Sequence, residues 1–265
     1  MNKLLLGRYL NGNSLIHRMD PRSKLMMSFY FICIIFLANN YITYAILLLL
    51  ALCGIVLSKI KISFFFKGII PLIWLILFTV ALQVFFTPGG HVIWSYGPLT
   101  LSKAGIVNGV YVFFRFVLII VMSTLLTLTT APLEIADAVE ALIKPLRYLK
   151  VPVHEIALML SIALRFVPTL MDETVKIMNA QKSRGVNFGE GSIISRIKAV
   201  IPILIPLFVS AFNRAEDLAV AMEARGYRGG DGRTKFRVMK WHLRDTGLII
   251  TFIIITILLL IFRNY

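Results

Sequence analysis

Two stretches of this chain stop in the same way. Ala180-Gln181-Lys182-Ser183-Arg184-Gly185 and Ala221-Met222-Glu223-Ala224-Arg225-Gly226 each place a small residue, an arginine and a glycine where a long helical pattern ends. Glycine is a common left-handed stop, and an arginine in the last turn offsets the helix dipole by roughly 0.3–1 kcal/mol. A cap of this kind accounts for one such ending. Two matched endings 41 residues apart point further, to a pair of equivalent plugs. A guanidinium on an exposed helix tip can fork onto a partner carboxylate, and the Ser or Ala beside it lets the partner backbone approach. Two equivalent tips imply two equivalent sockets, and so a dimeric partner.

Other chemistry is sparse. No GxxxxGK(S/T) phosphate loop occurs, and the stretch with Gly226, Gly229, Gly230 and Gly232 follows a helix without the Lys-Ser/Thr that would make it one. It reads as a flexible turn. No HExxH or GxSxG pattern and no paired-carboxylate site stands out. His17, His91, His154 and His242 are scattered without ligand spacing, and Cys33 and Cys53 sit inside apolar runs as packing residues. The chain is therefore expected to be non-catalytic and to bind no cofactor or metal itself.

The elements that carry the two tips belong to a membrane protein. Of 265 residues, 58% are hydrophobic and 15% charged, and the mean hydropathy is +0.83. A soluble domain carries about 25% charged residues. Five spans are predicted: 25–37, 41–57, 69–86, 106–128 and 248–262. Met1–Asn13 lacks the pattern of a cleaved leader, so the first apolar run is expected to be retained. The net charge of +15 is spread over several loops, which argues against a nucleic-acid partner and for the cytoplasmic flanks of spans. Lys3, Arg8, Arg18, Arg22 and Lys24 put the N-terminus in the cytoplasm, and the Lys59–Lys67 loop is basic and inside. The loop 38–40 is uncharged, and Thr87–Ala104 holds one Lys and no Arg, so both lie outside. Arg263-Asn264-Tyr265 then falls outside. No acidic residue lies in any of the five spans, which counts against a proton-coupled transporter. Arg115, within the fourth, is expected to snorkel or to pair with carbonyls.

Between the fourth and fifth spans the composition changes. Ala131–Asp245 holds 12 of the 13 acidic and 17 of the 28 basic residues. The expected organisation is a membrane domain at 1–130, a cytoplasmic coupling-helix domain at 131–245 and a last span at 246–265. Three helices are predicted in the charged domain: from Ala131 to Lys150, from Val153 to Arg184, and from Ser192 to Arg225. Ala199–Phe212, about 14 residues with Pro202 and Pro206, is short for a span and reads as the apolar half of the third helix. In the second helix Ile156, Met159, Leu160, Ala163, Val167, Leu170 and Thr174 recur at three- and four-residue steps. Most of that stripe reads as internal core. Part of it, around Met159, Ala163 and Val167, is expected to pack on membrane-level helices or on a partner.

Three segments also carry a family resemblance. They are Ser14-Leu15-Ile16-His17-Arg18-Met19-Asp20-Pro21-Arg22-Ser23-Lys24, Ala163-Leu164-Arg165-Phe166-Val167-Pro168 running on to Gly185, and Ala219-Val220-Ala221-Met222-Glu223-Ala224-Arg225-Gly226-Tyr227. With them the chain resembles, over essentially its whole length, the transmembrane T component of energy-coupling factor transporters. Ser183 stands where that family often has Ala; both are small. The resemblance implies an all-α polytopic protein of the bacterial or archaeal cytoplasmic membrane. It also implies a four-part importer for vitamins or transition-metal micronutrients. Two ABC-type ATPases, holding ATP and magnesium, would dock on Ser183, Arg184 and Gly185 and on Ala224, Arg225 and Gly226. A small membrane-embedded S component would capture the substrate. The competing class is a membrane-bound enzyme or an assembly scaffold with a cytoplasmic docking platform.

Overall fold

The computed structural model describes residues 9–87, 89, 92–96, 99–149, 152–188, 192–229 and 239–263. Lys3 and Arg8 of the basic N-terminal segment, Pro88 and Gly90, His91, Lys150, Gly230 and Gly232, and Asn264 and Tyr265 lie outside the described residues. The chain divides into two compact units, Met1–Ala138 with Val238–Tyr265, and Val139–Arg237.

In the first unit the helices are α1 (Pro21–Ile34), α2 (Tyr41–Ser58), α3 (Ile62–Ile69), α4 (Ile73–Phe86), α5 (Lys103–Thr129), the start of α6 (Pro132–Ile143) and α9 (Leu243–Phe262). α5 is the hub, packing on α1, α2, α3 and α4, while α1 and α2 also meet α9. Phe31, Ile35, Leu47, Leu118, Leu128 and Leu259 are fully buried where these helices meet. The Phe31 and Phe252 rings meet edge to face at 6.4 Å, and Tyr44 stacks on Tyr111 at 5.0 Å. Glycine sets the closest approach. A Cβ at Gly105 would lie 2.6 Å from the Val84 carbonyl oxygen, and one at Gly109 would lie 2.6 Å from a Val84 methyl. Small residues at these two points let α4 and α5 come together, as helices in lipid commonly do.

Helix ends fix the directions. Asp20 caps α1, its Oδ1 accepting from Arg22 N at 2.8 Å. Asp245, in the first turn of α9, accepts from the Asp20 backbone at 2.8 Å, from Ser23 Oγ at 2.6 Å and from the His242 backbone at 2.8 Å. α1 and α9 therefore start together. At the far end Asn40 Nδ2 donates to the carbonyls of Phe262 and Arg263, at 3.3 and 3.1 Å, so α1 and α9 run parallel. Lys24 Nζ donates to the Thr129 carbonyl at 2.9 Å, which satisfies a helix-end acceptor with a cation. α5 thus ends where α1 begins.

The spans differ from the sequence expectation in three places. Among the described residues six helices are long and apolar enough to cross a membrane by length and composition: Tyr41–Ser58, Ile62–Phe86, Lys103–Thr129, Val153–Ser183, Ile194–Ala224 and Leu243–Phe262. α1, of 14 residues with a 3-10 turn at Ile35–Leu37, falls short of that length. The two helices of the charged stretch reach it, although their windows have mean hydropathies of 1.5 and 1.8 against 2.2–2.6 for the other four. Second, Lys59–Lys67 is not simply a loop. Ile62, Phe65 and Ile69 share one helical face, Phe65 is buried, and α3 forms before a 3-10 turn at Pro71. Third, 87–104 contains an antiparallel ribbon, Val92–Tyr96 paired with Leu99–Ser102. β-branched and aromatic residues concentrate there, which favours strand pairing. The fold is otherwise all-α among the described residues.

The second unit contains the end of α6, a 3-10 segment at Lys144–Leu149, and two long helices, α7 (Val153–Ser183) and α8 (Ile193–Ala224). Glu173 of α7 meets Ser210 and Arg214 of α8, with Oε1 accepting from Ser210 Oγ at 2.6 Å and Oε2 from Arg214 Nη2 at 2.8 Å. Further along α7, Gln181 Nε2 donates to the Pro202 carbonyl at 3.5 Å. Pro206 has no N–H for that carbonyl, so Gln181 fills part of the gap in the α8 ladder. Residue 173 lies by 210 and 181 by 202, so the two helices run antiparallel.

Candidate docking surface

The two helix endings form the same motif. On α7 the N–H of Val186 donates to the Gln181 carbonyl at 3.1 Å and the N–H of Gly185 to the Lys182 carbonyl at 3.0 Å. On α8 the N–H of Tyr227 donates to Met222 at 3.0 Å and that of Gly226 to Glu223 at 2.8 Å. This is the paired hydrogen-bond signature of a Schellman stop. It requires left-handed glycine, and φ is +88° at Gly185 and +72° at Gly226. Arg184 and Arg225 occupy the capping position itself. Their backbones close the helix, and their side chains are left to point outward.

Ser183, Arg184, Gly185, Ala224, Arg225 and Gly226 are all exposed. Nothing lies within 4 Å of a Cβ placed on either glycine, so each tip is open to an approaching backbone. Neither guanidinium has an ion-pair partner among the described residues. Because α7 and α8 are antiparallel, the tips stand at opposite ends of the pair. The α8 tip lies beside the part of α7 that carries Arg165. With Glu173 beside Ser210 and Gln181 beside Pro202, Arg225 falls level with Leu158, and the 26 residues from Leu158 to Arg184 separate the tips by roughly 40 Å at 1.5 Å per residue.

The apolar stripe of α7 is split between two faces. Ile162, Phe166 and Leu170 line a cavity of about 310 Å3 with α8 residues that include Ala215, Leu218 and Met222. Met159 and Ala163 are exposed, Met159 by 67%, and Val167 is half-buried. These three do not belong to the α7–α8 contact that lines that cavity. Ile162 and Phe166 were not prominent in the sequence because the periodic stripe absorbs both faces. On α8, Ile194, Ile197, Phe208 and Phe212 are also more than 60% exposed.

The N-terminal motif has a different task. Arg22 Nη2 pairs with Asp20 Oδ2 at 2.8 Å, donates to the Met239 carbonyl at 3.4 Å, and lies 5.9 Å from the Trp241 ring centre. Burial pushes the Asp20 carboxyl up, but the hydrogen bonds and charge of Arg22 outweigh it and hold the group below its ordinary value. The same hydrogen bond raises Arg22. His17 is bridged by Ser14 Oγ at 2.6 Å and the Leu10 carbonyl at 2.9 Å, and burial lowers its pKa. Motif residues 14–24 thus hold the starts of α1 and α9. Arg115 sits with its guanidinium 5.1 Å from the Phe36 ring centre, and its Nε makes no hydrogen bond among the described residues. No group of three or more His, Cys, Asp or Glu residues able to hold a metal occurs among the described residues.

Comparison with known proteins covers the whole chain. The CbiQ family, described as cobalt transport protein, matches residues 12–236. Proteins named energy-coupling factor transporter transmembrane protein EcfT are similar end to end. That of Lacticaseibacillus paracasei is 61% identical over 263 residues, covering 99% of this chain and 100% of the relative. That of Lactococcus lactis subsp. cremoris is 59% identical over 264 residues, covering 100% and 99%. That of Bacillus subtilis is 51% identical over 263 residues, covering 99% of each.

Proposed function

This chain belongs to the CbiQ family and is a transmembrane component of the energy-coupling factor transporters, and from that premise we propose that it links two cytoplasmic ABC-type ATPases to a substrate-capturing S component. One observation carries the linkage. Two matching Arg-Gly stops, each with an exposed guanidinium that has no ion-pair partner among the described residues, stand at opposite ends of an antiparallel helix pair. One ATPase of a pair would take each tip, with a carboxylate in its socket receiving the arginine. ATP and magnesium would stay on the ATPases, since this sequence has no phosphate-cradling loop. The chain itself would be non-catalytic.

α7 and α8 act as a rigid transmission. A movement of the two sockets relative to one another would pass along helices clamped by Glu173, Ser210 and Arg214. The exposed face of α7 at Met159, Ala163 and Val167, and the apolar residues of α8, would bear on the S component or on membrane-level helices. The charge pattern of the loops puts the N-terminus and both tips in the cytoplasm. Vitamins or transition-metal micronutrients are the substrate class this reading supports.

The test is capture of the ATPase pair and substrate uptake by Arg184→Ala, Arg225→Ala and the double variant at matched membrane expression. Stranding a partner carboxylate costs about 2–5 kcal/mol, whereas losing a helix-end cation costs about 0.3–1 kcal/mol. The double variant is expected to insert normally and to lose both capture and uptake. Normal capture and uptake would reduce the two endings to caps.

A further inference from the structure

The two tips share a stop but not a setting. After Gly185 the chain continues Val186-Asn187-Phe188, whereas after Gly226 it continues Tyr227-Arg228-Gly229. The start of α7, antiparallel to α8, brings in a third arginine. Arg165, Arg225 and Arg228 line one cavity of about 390 Å3, with Ser161 among its walls and Leu218 and Met222 among its apolar ones. All three arginines are exposed, and none has an ion-pair partner among the described residues. Among the described residues no acidic side chain lines the cavity. Three guanidiniums facing one space repel one another, and the arrangement becomes favourable only when anions enter.

The geometry points to a composite anion socket at the α8 tip, built from both helices, that receives an acidic segment of the docking ATPase carrying at least two carboxylates. Resting on the docking function proposed above, it makes the two tips inequivalent. Arg225 would take one carboxylate, as Arg184 does at its own tip. Arg165 and Arg228 would take the second, and the apolar walls would cover the stem of the segment. Because Arg165 belongs to α7 and Arg225 to α8, a segment bound there ties the two helices together. The α7 tip, whose following residues carry no cation, would make a simpler and weaker contact.

The experiment uses the assembled complex of this chain, the two ATPases and the S component, purified in detergent. ATPase retention is titrated with salt for Arg165→Gln, Arg228→Gln, Arg225→Ala and Arg184→Ala. Arg228 lies beyond the helix end, so Arg228→Gln reports on docking even if Arg165→Gln disturbs α7. Each Gln variant is expected to weaken retention on the order of tenfold, the size of a lost charged hydrogen bond. Each should be non-additive with Arg225→Ala and additive with Arg184→Ala. Unchanged retention in both Gln variants, with Arg225→Ala still weakened, overturns the composite socket and leaves the docking function standing. Unchanged retention in all four variants removes both. Gln variants that retain the ATPases but bind phosphatidylglycerol vesicles less would also overturn the inference, since the socket would then serve an anionic lipid.

Discussion

Ser23 Oγ donates to Asp245 Oδ1 at 2.6 Å, across 222 residues of sequence. That oxygen also accepts from the Asp20 backbone, while the other oxygen accepts from His242. One buried carboxylate therefore ends the loose state of two helix starts at once. It fixes α1 beside α9, with the long charged stretch between them in sequence.

Asp245→Ala leaves Asp20 N and His242 N without their acceptor, while Ser23 Oγ keeps the Asp20 carbonyl at 2.8 Å. Each unsatisfied buried donor costs about 1–3 kcal/mol, so destabilisation of about 3 kcal/mol is expected by thermal unfolding in detergent. Asp245→Asn keeps one acceptor oxygen and should lose less. Asp20 adds a pH dependence. Its carboxyl lies below its ordinary value of 3.8, so its contribution is complete above that value and disappears as pH falls through the lower, folded value. Asp20→Asn should flatten that acid limb. An unchanged limb would mean that Arg22 does not hold the carboxylate.

Gly105→Ala should be harder on the fold than Gly109→Ala. The first places a methyl 2.6 Å from a backbone oxygen, the second the same distance from a side-chain methyl of Val84. Overpacking of this kind costs about 1–3 kcal/mol, and only the side chain has room to yield cheaply. Equal melting temperatures for both variants and the parent would refute a close α4–α5 contact.

The sequence made the all-α membrane class and the matched endings legible, because hydropathy and a glycine after an arginine are local signals. The directions of α1, α5 and α9 depend on contacts such as Asn40 with Arg263 and Lys24 with Thr129, which no local pattern carries. The cavity of Arg165, Arg225 and Arg228 was hidden for the same reason: its arginines come from different helices and converge only once α7 and α8 lie antiparallel. The ribbon of 92–96 with 99–102 carries little signal in the sequence because its strands are short and stand beside two spans. Span counting was equivocal because α7 and α8 are long and moderately apolar, while α1 is short.

Topology is tested with single cysteines. Ser183→Cys and Ala224→Cys, in a chain whose Cys33 and Cys53 are replaced by Ala, are expected to resist an impermeant thiol reagent added to intact cells and to react after lysis. Labelling of either from outside would place α7 or α8 across the membrane.

The outer face of α7 is tested by Met159→Asp and Ala163→Asp. Both positions are exposed in the single chain, so stability should change by no more than about 0.5 kcal/mol. Retention of the S component should fall while the ATPases stay bound. Loss of neither partner would leave this face without a role in assembly.

The last prediction separates the shape of a tip from its charge. Gly226→Ala meets no neighbour within 4 Å, but the backbone there has φ of +72°, where an L side chain is strained. The cost of roughly 1 kcal/mol is local to the stop. It can be relieved by unwinding the last turn, which would release the hydrogen bonds from Tyr227 to Met222 and from Gly226 to Glu223. Arg225 would remain in the chain with its charge intact but no longer be aimed by a closed cap. ATPase retention is therefore expected to drop although no charge is lost. Gly226→Asn should retain more than Gly226→Ala, since Asn tolerates the left-handed region better. Gly185→Ala and Gly185→Asn, at φ of +88°, should follow the same order at the other tip. The comparison is made with the membrane unit as an internal control: its melting temperature should not move in any of the four variants. Full retention in Gly226→Ala, with loss in Arg225→Ala, would show that the charge acts without the stop that presents it.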